Sequence, residues 1–164
     1  MRATKLLGAI GLGCRPSLLN RIATHVGKGI VAGLAGTVAI SISQMIEMRI
    51  SRRKPSTTPA DAAGKVLGVK PRDEAGKARF ANVVHWGYGT AWGLARAALG
   101  GPRRGRFWAP VVHLAAVQAV AMLMLPALKV APPATQWGAG EISKEVLHHV
   151  VYASAADATY RALS

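Results

Sequence analysis

Cysteine is almost missing from this chain of 164 residues: Cys14 is its single example. That excludes an intrachain disulfide and a thiolate cage for a metal ion. Acidic residues are also scarce, 7 against 21 lysines and arginines, for a formal net charge of +14. All charged residues together make up 17%, below the roughly 25% typical of soluble domains. A chain poor in charge yet strongly basic must confine its cations to short stretches. Arg52-Arg53-Lys54 and Arg103-Arg104-Gly105-Arg106 each lie between apolar segments. That distribution argues against a nucleic-acid binder, which spreads its cations over one folded face. It fits a membrane protein with basic flanks, as does a hydrophobic content of 51%.

What the chain has in quantity is long apolar runs. The expected fold is all-α, an integral membrane bundle of four transmembrane helices, with spans at Val26–Met48, Phe80–Gly100, Phe107–Leu125 and Glu141–Leu163. Residues 1–25 form a separate basic N-terminal segment. Its run Leu6–Gly13 is too short to cross a bilayer and reads as an interfacial segment or as a signal-like leader ending at Cys14. In span one, Gly29, Gly33, Gly36, Ile40, Gln44 and Glu47 recur at steps of four, three, four, four and three, so they share one stripe. Small residues there let a second helix approach closely, within the subunit or between copies.

Arg49–Arg79 is a polar connection with nine cations, suited to anionic headgroups or simply to solvent. A short interfacial helix over Pro59–Val69, capped by Thr58 and ended by Gly68 and Pro71, fits its residues. Span three is the most apolar and is expected to end at Pro126; span four is the most polar, so a helix lying on the membrane surface is its alternative. Cations fall almost equally on the two sides of such a bundle. The count is close to a tie and does not decide the topology; both termini inside is the expectation.

An up-and-down arrangement sorts the intramembrane polar residues by depth. Glu47, His85, Glu141, Glu145 and His148 fall in one leaflet, joined by Gln44 and Asn82; Arg96, His113, Asp157 and Arg161 fall in the other. The second set reads as an Arg96–Asp157 pair across helices with Arg161 one turn away and His113 nearby. The first set has three readings. Glu145 and His148 have the Glu-x-x-His spacing of di-metal bundles, but only one such motif is present. Haem would draw on His85, His113, His148 and His149, of which His113 belongs to the wrong leaflet. Otherwise the set is a hydrogen-bonded network fixing helix register, or a proton relay. No nucleophile with an oriented base, phosphate-cradling glycine loop or zinc motif is visible.

LPALKVAPPATQW followed by GEISKEVLHHVVY, with Pro126, Pro132, Pro133, Trp137, Glu145 and His148 or His149 in order, resembles the YagU-like family of small bacterial inner-membrane proteins. FANVVHWGYGTAWGLAR, with His85, resembles that family's second span. The resemblance implies a multi-pass inner-membrane protein of four spans, and no reaction or cofactor. The expected function is therefore that of a non-enzymatic structural or accessory subunit, self-associating or part of a larger membrane complex, touching anionic lipid. The alternatives are a metal- or haem-linked redox or transport protein and a pH-sensing one.

Overall fold

A computed structural model describes residues 17–100 and 107–164. The signal-like run, Cys14 and the Arg103–Arg106 cations lie outside the described residues. Among those described, all regular structure is helical: α1 (Leu18–Ser51), α2 (Thr58–Leu67), α3 (Glu74–Ala98), α4 (Trp108–Ala127) and α5 (Ala139–Ala162), with a 3₁₀ turn at Ala134–Gln136.

Local chemistry sets the helix ends. Ser17 caps α1 by accepting from the Asn20 N–H at 3.2 Å, so the helix starts eight residues before the expected span and takes in part of the N-terminal segment. Asp73 caps α3 through the Gly76 N–H at 2.6 Å. Gly68 ends α2 with φ of +68°, a conformation glycine adopts without strain. The expected boundaries shift in two places. The cap of α2 is Thr57, one residue earlier, because Pro59 is tolerated within the first turn. Pro126 lies inside the last turn of α4 rather than ending it. Beyond α4, the Trp137 indole N–H donates to the Pro132 carbonyl at 2.8 Å and closes the proline-rich connection on itself.

Helix α1 packs on both α3 and α5, α4 packs on the same two, and α3 also touches α5. Cross-helix partners give the direction. Against α1, the α3 residues run backwards: Gly93 beside Gly29, Thr90 beside Gly33, Gly89 beside Thr37, then His85 on Ser41. Helix α5 also runs backwards, with Tyr160 on His25, Tyr152 on Gly36, His148 on Ser43 and Lys144 on Glu47. Neighbours along the chain are thus antiparallel, as the depth argument requires. Lys65 of α2 donates to the Leu128 and Lys129 carbonyls at 2.8 and 3.2 Å, tying α2 to the end of α4.

The α1 stripe read from the spacing is the buried face of that helix: Gly29, Gly33, Gly36 and Ile40 are all buried. The glycines are consumed inside the chain. A Cβ on Gly29 would meet the Gly93 carbonyl at 2.9 Å, and one on Gly36 would meet the Tyr152 ring at 2.6 Å. A Cβ on Gly93 would run into the Gly29 carbonyl and the Gly33 backbone. Self-association therefore draws no support from this stripe.

Two helices, α1 and α4, are long and apolar enough to cross a membrane. The 25 residues of α3 and 24 of α5 give comparable length. Their polar content keeps them from meeting the same test.

The seam can be tested by contrast. Gly93→Val should lower stability by at least about 2 kcal/mol, because the obstacle is backbone that cannot rotate away. Gly87→Ala, whose Cβ would meet nothing within 4 Å, should instead raise it by about 0.5–1 kcal/mol. Thermal unfolding of both purified variants measures the difference.

Candidate functional site

The interior of this protein mixes small apolar residues, mostly alanine, with buried polar and charged groups. Thr37, Arg96, His113 and Tyr160 keep essentially no accessible surface. His148 and Asp157 are also buried.

At one end, Arg96 of α3 meets Asp157 of α5, Nε to Oδ1 at 2.8 Å and Nη2 to Oδ1 at 2.6 Å. Arg161 reaches the other carboxylate oxygen at 2.7 Å. Arg96 also donates to the Gly100 carbonyl at 3.1 Å and lies 4.6 Å over the Tyr160 ring. One carboxylate thus serves two guanidinium groups, and the remaining positive charge is spread over a carbonyl and an aromatic face. Arg96, Asp157 and Arg161 are brought together as the sequence indicates. His113 is not in direct contact with them. It donates from Nε2 to the Trp92 carbonyl at 3.0 Å, and its ring lies against those of Trp92 and Tyr152. A carbonyl only accepts, so the Nε2 proton is fixed, and Nδ1 is left buried without a partner among the described residues.

At the other end, the five residues grouped by depth do not form one cluster. Glu47 pairs with Arg53 at 2.9 Å and Lys144 at 3.3 Å. His85 bonds Ser41 at 2.8 Å and His148 bonds Ser43 at 2.9 Å. Two positions apart on a helix means about 200° around its axis, so the two imidazoles are held on nearly opposite flanks of α1. Glu145 faces His149 at 3.8 Å, and His149 bonds Gln118 of α4 at 2.9 Å. Glu141 is exposed in the first turn of α5, where a carboxylate complements the helix N-terminus. The grouping by depth rests on distance along each helix alone. It carried no rotational information, and that is what separates the residues.

Among the described residues, no three His, Cys, Asp or Glu side chains converge on a point that a metal ion could occupy. His85, His113, His148 and His149 are directed to four different partners and offer no axial pair for haem. The described residues therefore do not fit either group. Two Ser–His contacts resemble a nucleophile with its base. Ser41, however, donates its single proton to the Thr37 carbonyl at 2.6 Å, so it accepts from His85. Both serines sit mid-helix, where backbone amides are engaged in the helix and cannot form an oxyanion hole.

Several residues escaped the sequence reading: Ser41, Ser43, His25 and Tyr160. Tyr152 donates to the Gly89 carbonyl at 2.6 Å, and the Tyr160 hydroxyl lies 2.7 Å from His25 Nδ1. The Gly89-x-x-x-Gly93-x-x-x-Ala97 repeat was a legible signal, since it mirrors Gly29-x-x-x-Gly33-x-x-x-Thr37. The serines had none, because a helical serine by default bonds its own backbone.

No protein-family model, curated protein or solved structure matches this chain.

Asp157→Asn would leave Arg96 buried beside a neutral amide and should cost about 3–5 kcal/mol. The double replacement Arg96→Leu with Asp157→Leu should recover most of that loss. Thermal unfolding of wild type, single and double variants checks both statements.

Proposed function

We propose that this protein is a multi-pass integral membrane protein of the bacterial inner membrane, with α1, α3, α4 and α5 all crossing. It would act without catalysis, as a structural or accessory subunit of a larger membrane assembly. The observation that carries the reading is the inverted distribution of side chains. Arginine, histidine and aspartate are inside; large aliphatics are outside, as in Ile50 at 80%, Leu123 at 71% and Val83 at 70% exposure. In water such a surface would be costly over nearly every helix, whereas lipid tails favour it. The polar interior is what a bilayer demands of ionisable groups, which turn toward one another.

Contact between the helices supports four spans rather than two. Helices α3 and α5 each touch both α1 and α4. If α1 and α4 stand in the hydrocarbon layer, the helices packed against both stand there too. Their low hydropathy then reflects buried polar faces. The resemblance to YagU-like proteins points the same way.

Single cysteines introduced at Ser56 and Thr135, both exposed, in a Cys14→Ser background separate the topologies. With four spans they label from the same side of the membrane. With α1 and α4 alone crossing, they label from opposite sides, and release of the protein by alkaline carbonate would remove the membrane reading altogether.

A second reading, proton sensing, is favoured by one feature. His148 is buried with its Nε2 unpartnered among the described residues. It stands between the Glu47 salt bridges and the Glu145–His149 pair, with His85 across α1. A titration near neutral pH that vanishes in His85→Ala and His148→Ala would support it; a flat imidazole response in the wild type would end it.

A further inference from the structure

We infer that the cleft between α2 and the start of α3 holds the phosphate headgroup of an anionic phospholipid. This inference rests on the membrane reading above. The cleft has a volume of about 550 Å³ and is lined by Lys65, Lys70, Arg72 and Lys77 around Val69 and Phe80. Lys65 is already committed to the carbonyls that end α4. The side chains of Lys70, Arg72 and Lys77 make no hydrogen bond or ion pair with any described residue.

Three acids share the lining, and two of them are occupied. Asp61 accepts from the Thr57 hydroxyl at 2.8 Å, and Asp73 holds the first turn of α3. Glu74 follows in that first turn, where the helix dipole favours a carboxylate. None forms a salt bridge to the three cations. The lining carries four cations against three carboxylates, a net charge of +1, and with three of the cations unpaired that excess favours an anion from outside.

The surroundings select a lipid as its source. Val66 and Leu67 stand out from α2 at 64% and 66% exposure, and Val69 at 40%. Exposed aliphatics on a short helix beside free cations match a segment lying at the headgroup level. The Lys65 bonds fix the depth, because they hold α2 where α4, the most apolar helix, ends. A phosphate in the cleft would have its acyl chains leave past Val66, Leu67 and Phe80 toward the outer faces of the bundle. A soluble anion would use the cations and leave those aliphatics in water.

The test is lipid retention by the full chain, purified in mild detergent with equal phosphatidylglycerol and phosphatidylcholine and read by native mass spectrometry. Wild type should keep phosphatidylglycerol preferentially. Lys70→Gln, Arg72→Gln and Lys77→Gln together should lower that retention roughly tenfold, and Arg72→Gln alone roughly threefold. Arg49→Gln, Arg52→Gln and Lys54→Gln together remove the same charge from the end of α1 and should leave retention unchanged. Equal loss in both triple variants would reduce the effect to diffuse charge and overturn the proposal. So would no loss in either, or no lipid preference in the wild type. Flotation with vesicles of phosphatidylcholine alone reads membrane insertion separately. A protein that floats yet shows no preference sinks the site and leaves the membrane reading standing.

Discussion

Backbone touches backbone where α1 crosses α3, and most other contacts in the interior depend on that distance. Gly93 lies against the Gly29 carbonyl and the Gly33 backbone, with no side chain between. Only at such a separation can a residue as short as Ser41 reach His85 across the interface. Thr37 likewise fits against Gly89 while its hydroxyl returns to the Gly33 carbonyl at 2.8 Å. The Gly89 carbonyl is in turn the acceptor for Tyr152 of α5. One glycine seam therefore sets the position of the third helix as well. Packing of this kind needs no hydrophobic drive between helices, which suits an environment as apolar as the outer faces themselves.

Helix α5 is the counterpart of the seam. It brings a polar partner to each of the other three long helices: Tyr160, His148 and Lys144 to α1, Asp157 and Tyr152 to α3, His149 to α4. That explains why it is the least hydrophobic of the four. A helix so polar is unstable facing lipid and unstable alone; it becomes acceptable when each group has a specific mate. Such matching also fixes register, since sliding α5 by one turn would break the Asp157, His148 and Tyr152 contacts together. A buried ion pair is weak evidence for net stability. Its clearer role here is to admit one arrangement of helices and penalise the rest.

How much of this could be read from the sequence depends on the kind of information involved. Helix existence, approximate extent and the depth of each polar residue follow from spacing and length, and Arg96, Asp157 and Arg161 meet because they share a depth and a facing direction. The buried stripe of α1 was legible because glycine and isoleucine recur at helical steps. Rotation between helices was not. His85 and His148 have similar depths but are separated by the body of α1, and no single-helix pattern encodes that. Glu141 was misgrouped for a related reason: it shares a stripe with His148 and Tyr152, yet lies in the exposed first turn of α5. Serine partners were silent because serine occurs in helices without any cross-helix duty.

The two ends of the molecule are built for different tasks. At the Arg96 end, two guanidiniums share one carboxylate, with a tyrosine face and a backbone carbonyl absorbing the excess. Neutralising Asp157 there leaves the Arg96 charge buried without its carboxylate. At the Glu47 end, charges are paired near the surface, with Arg53 40% and Lys144 44% exposed. Exposed pairs of this kind contribute little to stability and exchange partners readily. Free cations of the α2–α3 cleft belong to this same end, since α1 finishes and α3 begins there. On the proposed membrane reading, contact with lipid or with another subunit would fall at the Glu47 end, where pairs can be rearranged at little cost, with the Arg96 end as the fixed part of the bundle.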